Sequence, residues 1–201
     1  MWALAFVAGI INVVGFMSFD HQAVTHLTGV TSLLSTEIVN PNLPIILHLL
    51  GVIASFVFGS TLSGAIILDK GRNYDIVLFL ESLLLFIAVP LLNKQIIFGV
   101  YLAGCACGLQ NAMATTYSGA VIRTSHLTGM FTDLGIFIGH FFRGLKIEKV
   151  RLKLCLIVIS GFFVGGIFGA FTYQELGHAT LYIAASITFI IASLYMIYSR
   201  T

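Results

Sequence analysis

Six runs of apolar residues, each about as long as a lipid bilayer is thick, are the feature that most constrains what this chain can fold into. They cover residues 1–19, 43–68, 76–92, 96–114, 154–173 and 179–198. An α-helix rises ~1.5 Å per residue, so it needs about 20 apolar residues to cross a hydrocarbon core of ~30 Å. Only 9% of the 201 residues are charged, whereas soluble domains carry roughly 25%. The sequence therefore predicts an all-α integral membrane protein, with six transmembrane helices in a single domain, residues 1–201.

The lysines and arginines predict how the chain is oriented in the membrane. We keep the first run as a span because no basic residue precedes it and no small-x-small cleavage pattern follows it. With six spans, nine of the ten Lys and Arg residues then fall on one side, and only Lys94 falls on the other. If residues 25–39 and 125–142 crossed as well, the count would weaken to seven against three. The positive-inside rule therefore favours six spans, with the basic side and both termini in the cytoplasm.

The chain also contains an internal repeat. Thr-His-Leu-Thr-Gly at residues 25–29 recurs as Ser-His-Leu-Thr-Gly at residues 125–129, which is 100 residues later. Two further pairs of segments match in residue type, namely 8–12 with 107–111 and 56–59 with 163–166. A motif that recurs at the midpoint of a chain is typical of transporters built from two related halves.

The repeat divides the chain into residues 1–95 and residues 96–201. Each half reads as a span, a short His-Leu-Thr-Gly helix, and two more spans, and an odd number of spans predicts that the second half is inverted. The short helices, at about 25–39 and 125–142, would then enter from opposite faces. Short or interrupted helices at corresponding positions of two halves indicate a binding site, because their ends expose free backbone groups. Whether they are re-entrant or fully spanning stays open.

Polar residues in and beside the repeated motifs are the predicted substrate pathway. An amide in an apolar span needs a hydrogen-bond partner, because an unpaired one costs several kcal/mol on an order-of-magnitude scale. Bonds between helices that fix their packing are the structural alternative for these amides. The predicted pathway residues are Asn12, His26, Thr28, Gly29, Gln110, Asn111, His126, Thr128 and Gly129.

Two carboxylates are candidates for proton coupling. Glu81 lies inside the third apolar run, where ionisable residues are functional candidates, although a local hydrogen bond is the structural alternative. Asp133 would share a helix face with His126, and a local ion pair between them is the alternative. Two histidines without a carboxylate or cysteine at ligand spacing do not predict a metal site. No cofactor is predicted.

The quoted motifs resemble those of a known family. Ala-Gly-x-x-Asn at 8–12, His-Leu-Thr-Gly at 26–29, Gly-Leu-Gln-Asn-Ala at 108–112 and the segment 124–129 together resemble the YoaK-like family of bacterial inner-membrane proteins, a domain of unknown function. The resemblance implies a six-span protein of the bacterial inner membrane, with no substrate or reaction to carry over. The chain has Asn12 where the family often has Asp, and Val30 and Met130 where Asn often follows Thr-Gly. Ion coupling through a first-span carboxylate is therefore not carried over.

These observations favour a membrane transporter or channel for an unidentified small solute, with its pathway between two inverted halves. A scaffold or accessory subunit that acts through a partner is the alternative, and its soluble surface would be the basic loop 143–153. An intramembrane enzyme is less favoured, because neighbouring helical residues such as Ser125 and His126 point about 100° apart. We therefore do not expect an enzyme. The expected partners are the lipid bilayer and the solute; homodimerisation stays open, and a net charge of +2 does not favour nucleic-acid binding.

Overall fold

The computed structural model describes residues 1–18, 27–67, 72–119 and 123–200, and this part of the chain forms eight α-helices and no strand. A 3-10 turn, Gly177–Ala179, joins the last two helices. The helices are α1 (Trp2–Ser18), α2 (Leu27–Val39), α3 (Leu43–Ile66), α4 (Tyr74–Asn93), α5 (Phe98–Ser118), α6 (Leu127–Phe142), α7 (Lys149–Leu176) and α8 (Thr180–Arg200). The six apolar runs fall on α1, α3, α4, α5, α7 and α8, and the two short motif-bearing segments fall on α2 and α6.

The described helices have the lengths and composition of a membrane protein. Within the described residues, three stretches are long and apolar enough to cross a bilayer: Leu43–Ile66, Tyr74–Asn93 and Lys149–Ser199. The third stretch contains α7, the turn and α8. Helices α1, α2 and α6 are apolar but shorter. The prediction of an all-α, membrane-type fold is confirmed, while the count of six spans and the inverted arrangement stay predictions.

The outer surface carries large apolar side chains that water would not favour. Phe58, Phe163 and Phe171 are 59%, 67% and 73% exposed, and they lie on α3 and α7. Soluble monomers rarely expose apolar patches of more than a few hundred Å². A lipid environment removes this cost, because acyl chains surround such side chains without ordering water.

Helices α1 and α7 cross in close contact at two glycines. A Cβ atom at Gly9 would overlap the backbone carbonyl oxygen of Phe162. A Cβ atom at Gly165 would overlap the backbone carbonyl oxygen of Phe6. Small residues let membrane helices approach until their backbones touch, and van der Waals packing then holds them together. Any larger residue at either glycine would force the two helices apart.

Helices α3 and α5 cross in the same way. A Cβ atom at Gly108 would overlap the carbonyl oxygen of Phe56, and one at Gly59 would overlap the carbonyl oxygen of Cys105. Each crossing therefore takes one glycine from each helix, placed against a backbone carbonyl of the other. The crossing of α1 with α7 and that of α3 with α5 use the segments that match in the sequence repeat.

The remaining helices pack around these two crossings. Helix α4 packs against α5 and α8, and the Ser82 hydroxyl donates to the carbonyl oxygen of Ala185 across the α4–α8 contact at 2.8 Å. Helix α2 packs on α3, and α6 packs on α7. The short helices α2 and α6 therefore flank α3 and α7.

Candidate functional site

A turn between α5 and α6 brings the second motif next to the polar end of α5. Helix α5 ends where Gly119 adopts a left-handed conformation with φ of 66°, and its N–H donates to the carbonyl oxygens of Thr115 and Thr116. Glycine suits this position because it has no Cβ to clash. Just before α6, the His126 N–H donates to the Arg123 carbonyl oxygen at 3.3 Å. Residues 123–126 therefore form a turn directly before α6.

Asn111 fixes this turn through its side-chain amide. Its Oδ1 accepts from the Ser125 N–H at 3.3 Å and lies 3.1 Å from the Ser125 hydroxyl. Its Nδ2 lies 2.9 Å from the same hydroxyl and donates to the Cys107 carbonyl oxygen at 3.0 Å. The amide predicted to need a partner therefore finds one in the segment that leads into the motif.

Gln110 joins the same turn to Glu81. Its Nε2 donates to Glu81 Oε1 at 2.9 Å, and its Oε1 accepts from the Thr124 hydroxyl at 2.8 Å. Glu81 and Thr124 have no exposed surface, and Gln110 is 2% exposed. A continuous set of buried hydrogen bonds therefore runs from α4 through α5 to the turn before α6.

The carboxyl group of Glu81 is only half bonded. In the part of the chain that the structure describes, Glu81 Oε2 has no hydrogen-bond partner. Among the described residues, Arg151 forms an ion pair with Asp133, and no basic side chain forms one with Glu81. A buried charge without a partner is costly, and ionisable residues within a membrane bundle are functional candidates for that reason.

A cavity of about 650 Å³, called here the polar cavity, lies where the two repeated motifs meet. The starts of both short helices line it, together with the facing surfaces of α3 and α5. Its lining residues are Leu27, Thr28, Phe56, Ser60, Asn111, Ala112, Thr115, Thr116, Arg123, Ser125, His126, Leu127 and Thr128. The first N–H groups of α6 have no partner within their helix, since no side chain caps it. Hydroxyls, amides, an imidazole and a guanidinium thus surround one space.

The structure brings together most of the predicted pathway residues that it describes. Thr28, Asn111, His126 and Thr128 line the polar cavity, and Gln110 joins it through Thr124. The placement of His26 lies outside the described residues. These positions come from α2, from α5 and from α6 with the segment that leads into it.

The two glycines of the repeated motifs, Gly29 and Gly129, have different surroundings. Gly129 lies against the His126 ring, because a Cβ there would lie 2.6 Å from the ring Cδ2 atom. A side chain at that position would therefore displace the imidazole from the mouth of the cavity. Gly29 lies in the first turn of α2, next to the cavity-lining Thr28.

Two predicted residues lie elsewhere. Asn12 is half-buried in α1 and is not among the residues that line the polar cavity. Asp133 lies on α6, where its carboxylate accepts from the Arg151 guanidinium at 2.9 and 3.1 Å. The partner of Asp133 is therefore an arginine of α7, and not His126.

A family comparison agrees with the predicted resemblance. The model of a family described as a protein of unknown function (DUF1275) matches residues 1–194. The chain belongs to the DUF1275 family. Searches of curated proteins and of solved structures return no match. Membership of DUF1275 confirms the family but assigns no substrate, reaction or partner.

Three residues of the site in this DUF1275 member have contacts that the sequence did not predict. Thr124 and Ser125 were part of the matching segment, yet nothing in the sequence assigned them to Gln110 and Asn111. In the sequence, Arg123 indicates only the orientation of the chain in the membrane, as one of the Lys and Arg residues on the basic side. Its position three residues before His126 was the signal that it lies at the cavity. Within the described residues, no group of three or more His, Cys, Asp and Glu residues comes together to hold a metal ion.

Proposed function

We propose that this protein moves a small polar solute across a bacterial inner membrane, as a transporter or channel with six spans. The observation that carries the proposal is the polar cavity, because residues of both repeated motifs line it. Pockets of about 300–1,000 Å³ are typical of small-molecule sites, and this one holds about 650 Å³. In this proposal the solute passes between the two halves, residues 1–95 and 96–201.

Three structural correspondences support two related halves, which an odd number of proposed spans per half would make inverted. Each half has the order of an apolar helix, a helix with the repeated motif and two more apolar helices. In the proposed repeat, α1 corresponds to α5 and α7 corresponds to α3. The α1–α7 crossing therefore corresponds to the α5–α3 crossing, and each crossing has one glycine from each helix in close contact with the other. In α2 the Ser32 hydroxyl donates to the Thr28 carbonyl oxygen, and in α6 the Thr132 hydroxyl donates to the Thr128 carbonyl oxygen. In the proposed arrangement α2 and α6 begin near the midplane and return to opposite faces.

The lining chemistry favours a polar or weakly ionised solute. Arg123, His126 and the free N–H groups at the start of α6 can each donate to an oxygen atom of a ligand. The positive end of a helix dipole also favours negative charge at this position. The hydroxyls of Ser60 and Thr115 already donate to backbone carbonyls, which leaves them able to accept from the solute.

We further propose that Glu81 couples solute movement to a proton. Among the described residues, a carboxylate in this buried position has no ion-pair partner to offset its charge, so binding of a proton is the simplest compensation. Gln110 contacts both Glu81 and Thr124, and Thr124 precedes Ser125 at the cavity wall. A change in the charge of Glu81 therefore reaches the turn that positions α6. Asp133, the other candidate, already has Arg151 as its partner, so the proposal rests on Glu81.

Solute flux in reconstituted vesicles tests the proposed function. Purified protein is placed in vesicles with a pH-sensitive dye inside, and a panel of small neutral and anionic solutes is added outside. We expect at least one solute to enter in a protein-dependent way and to move protons with it. Thr128→Val should lower this flux severalfold, while Thr132→Val, one turn further along α6 and outside the lining, should not.

Two results would count against a transport function. Flux that is equal in protein-free vesicles for every solute would contradict it. A stoichiometric partner that copurifies with the protein, combined with no flux, would replace transport with the accessory-subunit function.

A further inference from the structure

A second and larger cavity, called here the apolar groove, lies along α7 between α6 and the α1 residue Val13. Its volume is about 930 Å³. Apart from two lysines and a serine, every residue that lines it is apolar. The lining residues are Val13, Leu127, Phe131, Lys149, Leu152, Lys153, Leu156, Ile157, Ile159, Ser160, Phe162, Phe163, Gly166, Ile167 and Ala170.

The groove is as long as one bilayer core is thick. Its lining follows α7 from Lys149 to Ala170, and 21 helical steps of ~1.5 Å give about 31 Å. The hydrocarbon core of a bilayer is ~30 Å thick. Phe163 and Ile167, which lie along it, are 67% and 52% exposed. The groove is therefore open at the side and can hold a chain-shaped apolar ligand along its length.

All of its charge lies at one end. Lys149 and Lys153 are four residues apart, so they share one face of α7. Among the described residues neither has a recorded ion-pair partner, whereas Arg151 between them reaches across to Asp133 of α6. Two exposed ammonium groups thus stand at the start of an apolar surface, and no acidic side chain of the described residues forms an ion pair with them.

We propose that the apolar groove binds an anionic phospholipid. The phosphate of the headgroup contacts Lys149 and Lys153, and an acyl chain lies along Leu156, Phe163 and Ile167. Basic pockets between membrane helices recognise anionic headgroups in this way. The ligand must carry negative charge at one end and none beyond it. A lipid fits this requirement better than a second copy of this chain, because the whole sequence has only 8 Asp and Glu residues.

Native mass spectrometry of the purified full-length protein tests the proposal. The delipidated protein is titrated with phosphatidylglycerol, which is anionic, and with phosphatidylcholine, which has no net charge. We expect phosphatidylglycerol to bind at least tenfold more tightly. The double variant Lys149→Ala and Lys153→Ala should weaken its binding on the order of thirtyfold, since each lysine near an anionic headgroup contributes roughly one factor of five.

Matched variants separate this site from general attraction between charges. Lys146→Ala removes a nearby lysine that does not line the groove, and it should leave the affinity unchanged. Replacement of both Lys149 and Lys153 by arginine keeps the charge and should keep the binding. Equal effects of the Lys146 variant and the double alanine variant would overturn the proposal.

A second pair of variants tests the acyl-chain part of the groove. Ser160→Trp fills the groove beside α7 and should reduce the affinity for phosphatidylglycerol at least fivefold. Val164→Trp adds the same side chain to an exposed position outside the lining and should not. Equal binding of both lipids, or a dimer that forms in place of the lipid complex and is broken by Ser160→Trp, would overturn the proposal.

Discussion

The polar cavity and the apolar groove are both large enough for a ligand, but their walls have opposite chemistry. The groove is the larger, at about 930 Å³ against 650 Å³, yet its length is covered by side chains as apolar as the lipid around them. The cavity is lined by polar groups that would be costly in lipid, and two of them, Asn111 and Ser125, are bonded to each other. In a membrane protein, volume alone therefore does not identify a solute site. We place the proposed solute path at the polar cavity because its lining is polar.

The two regions also differ in the hydrogen-bond partners of their polar side chains. In the cavity, Gln110 and Asn111 have bonds to Glu81, Thr124 and Ser125 that reach across three elements. In the groove, the hydroxyl of Ser160 bonds only to its own helix, at the Ile157 carbonyl oxygen. Substitutions should accordingly have large effects in the polar cavity and small ones in the groove.

The largest effect on function is expected at Glu81. Glu81→Gln keeps the size of the side chain and its bond from Gln110, but it cannot release a proton. Proton movement that accompanies solute flux should fall to the level of protein-free vesicles, as measured with the internal pH dye. Glu175→Gln, an exposed carboxylate at the end of α7, is the control. Unchanged proton movement in Glu81→Gln would show that the cavity works without this carboxyl group.

The largest effect on stability is expected at Gln110. Gln110→Leu leaves the Glu81 carboxyl without its donor and leaves the Thr124 hydroxyl only its longer bond, 3.4 Å, to Asn111 Oδ1. A buried group left unbonded costs about 1–3 kcal/mol and a lost hydrogen bond about 1 kcal/mol, so unfolding in detergent should become easier by about 2–4 kcal/mol. Leu156→Ala in the groove wall, where lipid or detergent can fill the space, should cost less. Equal losses for the two variants would remove the energetic difference between the regions.

A smaller effect is expected from a matched pair of serines. Ser125→Ala removes a hydroxyl bonded to Asn111, and a typical net hydrogen bond contributes about 1 kcal/mol. Ser160→Ala removes a hydroxyl bonded only within α7, so its stability should change by less than ~0.5 kcal/mol. Thermal unfolding in the same detergent measures both. A larger loss for the Ser160 variant would reverse the comparison.

The smallest effect is expected at the ion pair between α6 and α7. The Arg151 side chain is 47% exposed, and exposed ion pairs contribute about 0–1 kcal/mol. Arg151→Gln should therefore change stability by less than ~1 kcal/mol and leave solute flux as it was. A loss of flux comparable to that of Glu81→Gln would return Asp133 to the list of coupling residues.

The helices could be predicted from the sequence because their apolar runs are long and are bounded by polar segments. The short helices α2 and α6 could be predicted as well, since Leu27–Val39 and Leu127–Phe142 lie within the predicted segments 25–39 and 125–142. Family membership followed from short motifs that span nearly the whole chain. These features are local in sequence, so no knowledge of helix packing was needed.

The contacts of the site could not be predicted in the same way. A membrane helix is apolar on nearly all sides, so its periodicity does not show which face meets which neighbour. The bond between Glu81 and Gln110 depends on the rotation and depth of α4 against α5. Asp133 shows the same limit, because its partner Arg151 lies 18 residues further along the chain on another helix. Asn12 shows the limit too, because its residue type suggested the pathway, whereas it lies on α1 outside the lining of the polar cavity.

The inverted arrangement of the two halves is the central claim, and the side on which α2 and α6 end tests it most directly. Asn40→Cys follows α2 and Leu145→Cys follows α6, each in a protein whose Cys105, Cys107 and Cys155 are replaced. A membrane-impermeant thiol reagent is applied to intact cells and to inverted vesicles. The account predicts that Asn40→Cys reacts only from outside and Leu145→Cys only from the cytoplasm. Labelling of both from the same side would contradict the inverted halves, and with them the solute path between the halves.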